Sequence, residues 1–242
     1  MIMEWLDSYE IRARIAPTIV VFSPFALLII LIWPEVFPSF NLIIGEVALL
    51  LFLIYALSYV VKFYGNGIES SLWVEWDGAP STRFLRWRDV TFNDEFKEKI
   101  HGLLKSNFQC SLFSKNDEGK SPVNADIQIS AAFLQVKAFL RKNDSEGLWQ
   151  KHNAEYGFNR NLIGSRTLWL FFSTIATIVF LFLWTKSNQN LLFIGMILCS
   201  IEIVCSLIVG WYYLPSLVKA AADRYAESMW MAFSVISKKY RQ

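Results

Sequence analysis

Residues 149–184 read WQKHNAEYGFNRNLIGSR and then TLWLFFSTIATIVFLFLW. The first half is polar. The second is an uninterrupted apolar run long enough to cross a bilayer. No proline separates them, and Gly157 and Gly164 weaken a helix without stopping it. The spacing predicts one long helix that leaves water and enters a membrane, an element able to report the state of a polar region to a membrane span.

The composition agrees. Hydrophobic residues are 54% of the chain and mean hydropathy is +0.34, values that fit an integral membrane protein with a modest soluble part. A formal net charge of +2 excludes a globally basic nucleic-acid binder, so any anion site must be local. Cys110, Cys199 and Cys205 show no C-x-x-C spacing, and two of them fall in an apolar run, which argues against a disulfide or zinc framework.

Four spans follow, at 16–33, 41–63, 167–184 and 190–214, arranged as two hairpins. Pro24 predicts a kink in the first, with Ser23 re-satisfying the freed carbonyl. Pro34 and Pro38 mark the first turn, and Pro215 is expected to end the fourth span. Trp33, Trp184, Trp211, Tyr212 and Tyr213 stand where interfacial anchors belong. The turns at 34–40 and 185–189 hold one basic residue, Lys186. The other basic residues place both termini and the central region on the cytoplasmic side.

The expected fold is mainly α: a polytopic membrane protein with a mostly helical cytosolic domain between spans two and three. Its parts are 1–64 (N-terminal segment and first hairpin), 65–166 (cytosolic domain), 167–215 (second hairpin) and 216–242 (C-terminal helix). Within the cytosolic domain DGAP at 77–80 predicts a turn, with Ser81 or Thr82 as a cap. Helices are expected at 94–105 and 125–142, the latter burying Ile129, Ala132, Phe133, Val136 and Leu140. The polar run 114–122 reads as a loop. Ser145 is a candidate cap for the long helix. The C-terminal helix presents Leu217, Ala221, Met231 and Val235 as apolar positions.

Three constellations carry chemistry. In the long helix, His152, Tyr156 and Arg160 share a face, beside Asn153 and Asn161. They serve either as a membrane-entry surface or as an anion site in which Arg meets phosphate and Tyr stacks on a base. The segment 80–89, PSTRFLRWRD, interleaves Arg83, Arg86 and Arg88 with Phe84 and Trp87. It suits either anionic lipid or a nucleotide. In the fourth span, Gly195, Cys199, Glu202, Ser206 and Gly210 form a small, polar stripe with an acid at mid-depth. It reads either as a packing seam or as a pore lining in an oligomer. Glu46 reads as a mouth or interfacial residue, and His101 as a surface residue. No nucleophile–base pair, phosphate-cradling loop or metal-ligand cluster is legible, so neither enzyme nor cofactor chemistry is expected.

GAPSTRFLRWRD after span two and HNAEYGFNRNLIGSR before span three, between two hairpins, resemble the four-span membrane effectors of bacterial anti-phage defence. The effector of the Hailong system is the nearer likeness and the SMODS-associated four-span effectors the more distant one. The resemblance covers the whole chain in layout, while only these two short motifs are specific. It implies a channel in the bacterial inner membrane. A nucleotide or short single-stranded DNA oligomer, made by a partner nucleotidyltransferase, would control it. A homo-oligomer is expected, a tetramer first. The other class in play is a non-conducting membrane scaffold for a cytosolic partner.

Overall fold

The computed structural model describes residues 8–32, 43–144 and 147–239. It is helical, with no strand among the described residues. Four helices are long and apolar enough to cross a membrane: Ile11–Ile32, Leu50–Arg83, Arg166–Ser187 and Asn190–Ser237. The four expected spans are therefore present. The turn at Pro34 and Pro38, the Trp33 anchor and the Ser145 cap lie outside the described residues, as does the side chain of Glu46.

The chain divides into two compact units, Met1–Glu69 with Ala154–Lys219, and Ser70–Asn153 with Ala220–Gln242. This division differs from the expected one. Residues 154–166 belong with the spans, and the C-terminal helix completes the second unit.

In the first unit, α1 occupies 8–32 and is π-helical over Ile11–Ile15 before the α-helical Ala16–Ile32. Helix α2 is Ile43–Glu75. Two prolines that ought to break helices are accommodated by one device. Before Pro17, Ala16 donates its N–H to Ile11 O, five residues back. Before Pro215, Leu214 donates to Val209 O, again five back, within the π-helical Ile208–Tyr213. Each wider turn sits just ahead of a ring that would otherwise clash with a carbonyl. The fourth span thus continues through Pro215 into the helix Leu214–Lys239 instead of ending there.

The long helix is not continuous. It divides at Ser165 into α7, Leu148–Gly164, and α8, Arg166–Ser187 (α3 to α6 belong to the second unit). Ser165 is fully buried, and its hydroxyl donates to Val61 O at 3.4 Å. Gly164 explains the site of the break. A Cβ there would lie 2.5 Å from Tyr64 O and 2.7 Å from the Cα of Gly65. The two backbones touch, and the chain adjusts at the next residue. Gly157 permits a similar approach to Ala13. Asn188, in the left-handed conformation, turns the chain from α8 into α9, Asn190–Leu207. Helices α8, α9 and α1 pack around Ala176, Phe180, Leu192 and Cys199.

In the second unit, Asp77 and Gly78 both take positive φ, forming the DGAP turn. The short α3, Pro80–Arg83, follows with no side-chain cap; Thr82 pairs with Ser130 instead, at 2.9 Å. Helix α4 is Asp94–Phe108, capped by Asn93. The expected loop at 114–122 contains α5, Lys115–Lys120, because Ser114 caps Asp117 N–H and two acids occupy its first turn. Helix α6, Pro122–Asn143, buries all five expected residues.

The C-terminal helix α10, Leu214–Lys239, is rotated from expectation. Ala221 is buried, but so are Ala222, Tyr225, Met229, Trp230 and Phe233, while Leu217, Met231 and Val235 are exposed. Apolar residues on both faces left the phase open in the sequence. Stacking decides it. Phe233 lies 5.7 Å from Phe108 and 6.0 Å from Phe139, and Trp230 lies 5.6 Å from Phe133.

Candidate functional site

The span bundle of the first unit holds three polar centres. The first is Glu202 on α9. Its Oε2 lies 3.1 Å from the Ser23 hydroxyl and accepts from Trp169 Nε1–H at 3.4 Å. Among the described residues no cationic side chain pairs with it. The expected stripe surrounds it, but turned into the chain. A Cβ on Gly195 would lie 2.8 Å from the Phe180 ring and 2.9 Å from Leu31, and one on Gly210 would lie 3.2 Å from Arg166. Cys199 and Ser206 are fully buried. The opposite face of α9, with Ile194, Ile201 and Val204, is apolar and exposed, and Ile208 just beyond it continues that face. The stripe therefore packs against helices of its own chain. A ring of Glu202 side chains about an oligomer axis needs this helix facing the other way.

The second centre is Arg14, whose role no local motif signals. It is only 5% exposed, within the first π-helical turn. It pairs with Glu10, donates to Ser58 Oγ at 3.3 Å and lies 4.3 Å from the centre of the Tyr59 ring. These partners offset the cost of burying its charge.

The third centre uses the expected face of the long helix. Tyr156 Oη and Arg160 Nη1 both donate to Glu69 Oε1, at 2.8 and 3.0 Å. Asn161 Nδ2 donates to Ala13 O at 2.6 Å. Structure brings Tyr156 and Arg160 together as expected, but around a carboxylate of the chain. Nothing in the sequence near Glu69 signals this role.

The arginine-rich segment of the second unit is likewise turned inward. Arg86 is 4% exposed and forks onto Asp126, with Nε–Oδ1 and Nη2–Oδ2 both 2.8 Å. Its Nη1 reaches Asp77 at 2.8 Å. Burial alone would lower its pKa, yet Asp126 and Asp77 raise it. Gly78 is required here, since a Cβ would lie 2.6 Å from Arg86 Nη2. Arg83 pairs with Asp89 at 3.3 Å and Asp223 at 3.2 Å. Arg88 alone of the three has a half-exposed side chain, 3.8 Å from Asp77.

Trp87 is held on both sides. Its indole N–H donates to Phe113 O, its backbone N–H to Glu118, and its ring lies 4.9 Å from that of His101. His101 is therefore half-buried rather than a surface residue. Burial, and secondarily the nearby Lys97, push its pKa down to about 4. Lys97 is fully buried and donates to Asp89 O and Trp87 O.

His152 lies elsewhere in this unit. Its Nδ1 is 3.2 Å from Arg224 O, at the edge of a groove of about 570 Å³. Leu148, Trp149, Met231 and Val235 give that groove an apolar lining. Asn153, the next residue, is half-buried. No family model, curated protein or solved structure matches the chain.

Proposed function

We propose that this chain is a ligand-controlled membrane effector that changes the permeability of a bacterial inner membrane. In this reading it acts as a homo-oligomer with its charged helical unit in the cytoplasm. The observation that supports it is Glu202, a carboxyl group within an apolar span, with only neutral partners among the described residues. Such a group is costly in a bilayer, and a purely structural anchor has cheaper alternatives. Because the stripe faces α1 and α8, the conducting path follows that seam, and opening parts it.

The controlling ligand is an anionic nucleotide or a short single-stranded DNA oligomer. Arg88 offers first contact. Arg83 and Arg86 are reached by exchange, the ligand's phosphates replacing Asp89 or Asp126. Fixed carboxylates in those places keep the arginines paired and oriented until then.

The test uses the full chain in planar bilayers with a short deoxyadenylate oligomer as probe. A current that changes with the oligomer is expected. With Cys110 and Cys205 replaced by Ser, Cys199 should react with a small thiol reagent only in the conducting state. Binding of the oligomer with no current under any condition would overturn the channel reading. It would favour the second one, a scaffold that docks a partner on the apolar groove beside His152.

A further inference from the structure

Pro24 has no N–H, so the carbonyl of Val20, four residues back in α1, has no helical donor. The Ser23 hydroxyl supplies one, at 2.8 Å. The same oxygen lies 3.1 Å from Glu202 Oε2. A serine hydroxyl carries one hydrogen and two acceptor lone pairs. Val20 O can only accept. With that hydrogen on Val20 O, Ser23 Oγ faces Glu202 with a lone pair. Two oxygens that close, with no hydrogen between them, repel if Glu202 is a carboxylate. Both contacts are hydrogen bonds only when the carboxyl carries a proton.

We infer that Glu202 is a proton-binding site, loaded in this conformation, and that Glu202 O–H donates to Ser23 while Ser23 O–H donates to Val20 O. The chain of donors joins α9 to the proline kink of α1. The Trp169 indole N–H reaches the same carboxyl oxygen at 3.4 Å and steadies it in either state.

Release of the proton forces a choice. If Ser23 turns its hydrogen to the carboxylate, Val20 O is left bare in an apolar span. If it stays on Val20, the carboxylate loses the Ser23 hydrogen bond and keeps the Trp169 indole, with the Ser173 hydroxyl beside it. Either outcome costs free energy in a medium that supplies no replacement donor. Proton occupancy at Glu202 is thereby tied to the hydrogen bonding of the α1 kink.

Among the described residues no other charge competes at this place. Residues Ala16–Ile32 include no ionisable side chain. On α8, Arg166 is turned to Gly210 O at 3.1 Å and to the Trp211 ring at 4.8 Å, and Lys186 lies in the last turn. On α9, Cys199 is the neighbouring titratable group of the buried face, and Cys205 is exposed.

Infrared difference spectroscopy on the full chain in lipid nanodiscs tests this over roughly pH 5 to 9. The wild type should show a protonated-carboxyl C=O band at neutral pH that shifts in heavy water and is absent in Glu202→Gln. Ser23→Ala keeps Glu202 in place and should move the band, because its acceptor is gone. Absence of a Glu202-dependent carboxyl band at neutral pH would overturn the inference. So would a band that Ser23→Ala leaves unmoved. If Glu202→Gln fails to fold, Ser23→Ala in heavy water decides alone. The readout involves no current and no nucleotide, so it stands or falls apart from the channel reading.

Discussion

Arg86 and Asp126 meet edge to edge, two parallel N–H···O contacts of 2.8 Å each. The pair is buried at its arginine end, where the side chain is 5% exposed. Removing one partner strands the other, which costs about 3 kcal/mol or more. Arg86→Ala should therefore lower the thermal midpoint of the detergent-solubilised protein strongly. Arg88→Ala, at a half-exposed side chain, should change stability by no more than about 0.5 kcal/mol. Equal midpoints for the two variants would show that the Asp126 fork is not structural. Of the three arginines, Arg88 is also the clean one for a ligand-binding assay.

His101 sets a pH dependence. Its folded pKa, about 4, lies below the ordinary value of 6.5. Between those values the unfolded chain binds a proton that the folded chain refuses. Stability should be fully present above the upper value and fall as pH drops through the window, by at most about 1.4 kcal/mol per pH unit. His101→Gln should flatten that part of the melting curve against pH. The chain has two histidines, so NMR titration with His152→Gln assigns the remaining imidazole directly. A His101 midpoint near 6.5 would refute the assignment.

Glycines of similar appearance should behave oppositely. A Cβ at Gly164 meets backbone of the facing helix at 2.5 Å, whereas one at Gly67 meets nothing within 4 Å. Gly164→Ala should destabilise by about 1–3 kcal/mol through overpacking. Gly67→Ala, within α2, should be neutral or stabilising by about 0.5–1 kcal/mol. Comparing their thermal midpoints settles the point, and a tolerated Gly164→Ala would mean the two backbones are farther apart.

The phase of the C-terminal helix is equally accessible. Phe233 is fully buried and Val235 is 68% exposed, two residues apart. Phe233→Ala should cost about 3–5 kcal/mol, and Val235→Ser little. The reverse order would restore the face that hydropathy alone suggests.

Four spans were legible because length and apolarity suffice to define them. The core of α6 was legible because Ile129, Ala132, Phe133, Val136 and Leu140 repeat at helical spacing with polar neighbours. Partners of charges were not. Asp126 lies 40 residues from Arg86, and Glu69 lies 91 from Arg160. Arginine-rich composition looks the same whether its guanidinium groups face a ligand or the chain's own acids. The break at Ser165 was hidden for a related reason. It arises from contact with Tyr64 and Gly65, and no local propensity encodes a contact across so much sequence. Prolines misled in one direction only, since a π-helical turn ahead of Pro215 conceals the missing donor.

The second unit is assembled from two lengths of chain, Ser70–Asn153 and Ala220–Gln242, with spans three and four encoded between them. Trp230 and Phe233, which fill the space beside Phe133, Phe108 and Phe139, follow both of those spans in the chain. Until they emerge, that aromatic surface has no cover. Synthesis of both later spans must therefore precede completion of the second unit. Synthesis itself imposes an order, spans first and closure afterwards, and leaves an interval in which a chaperone has something to hold.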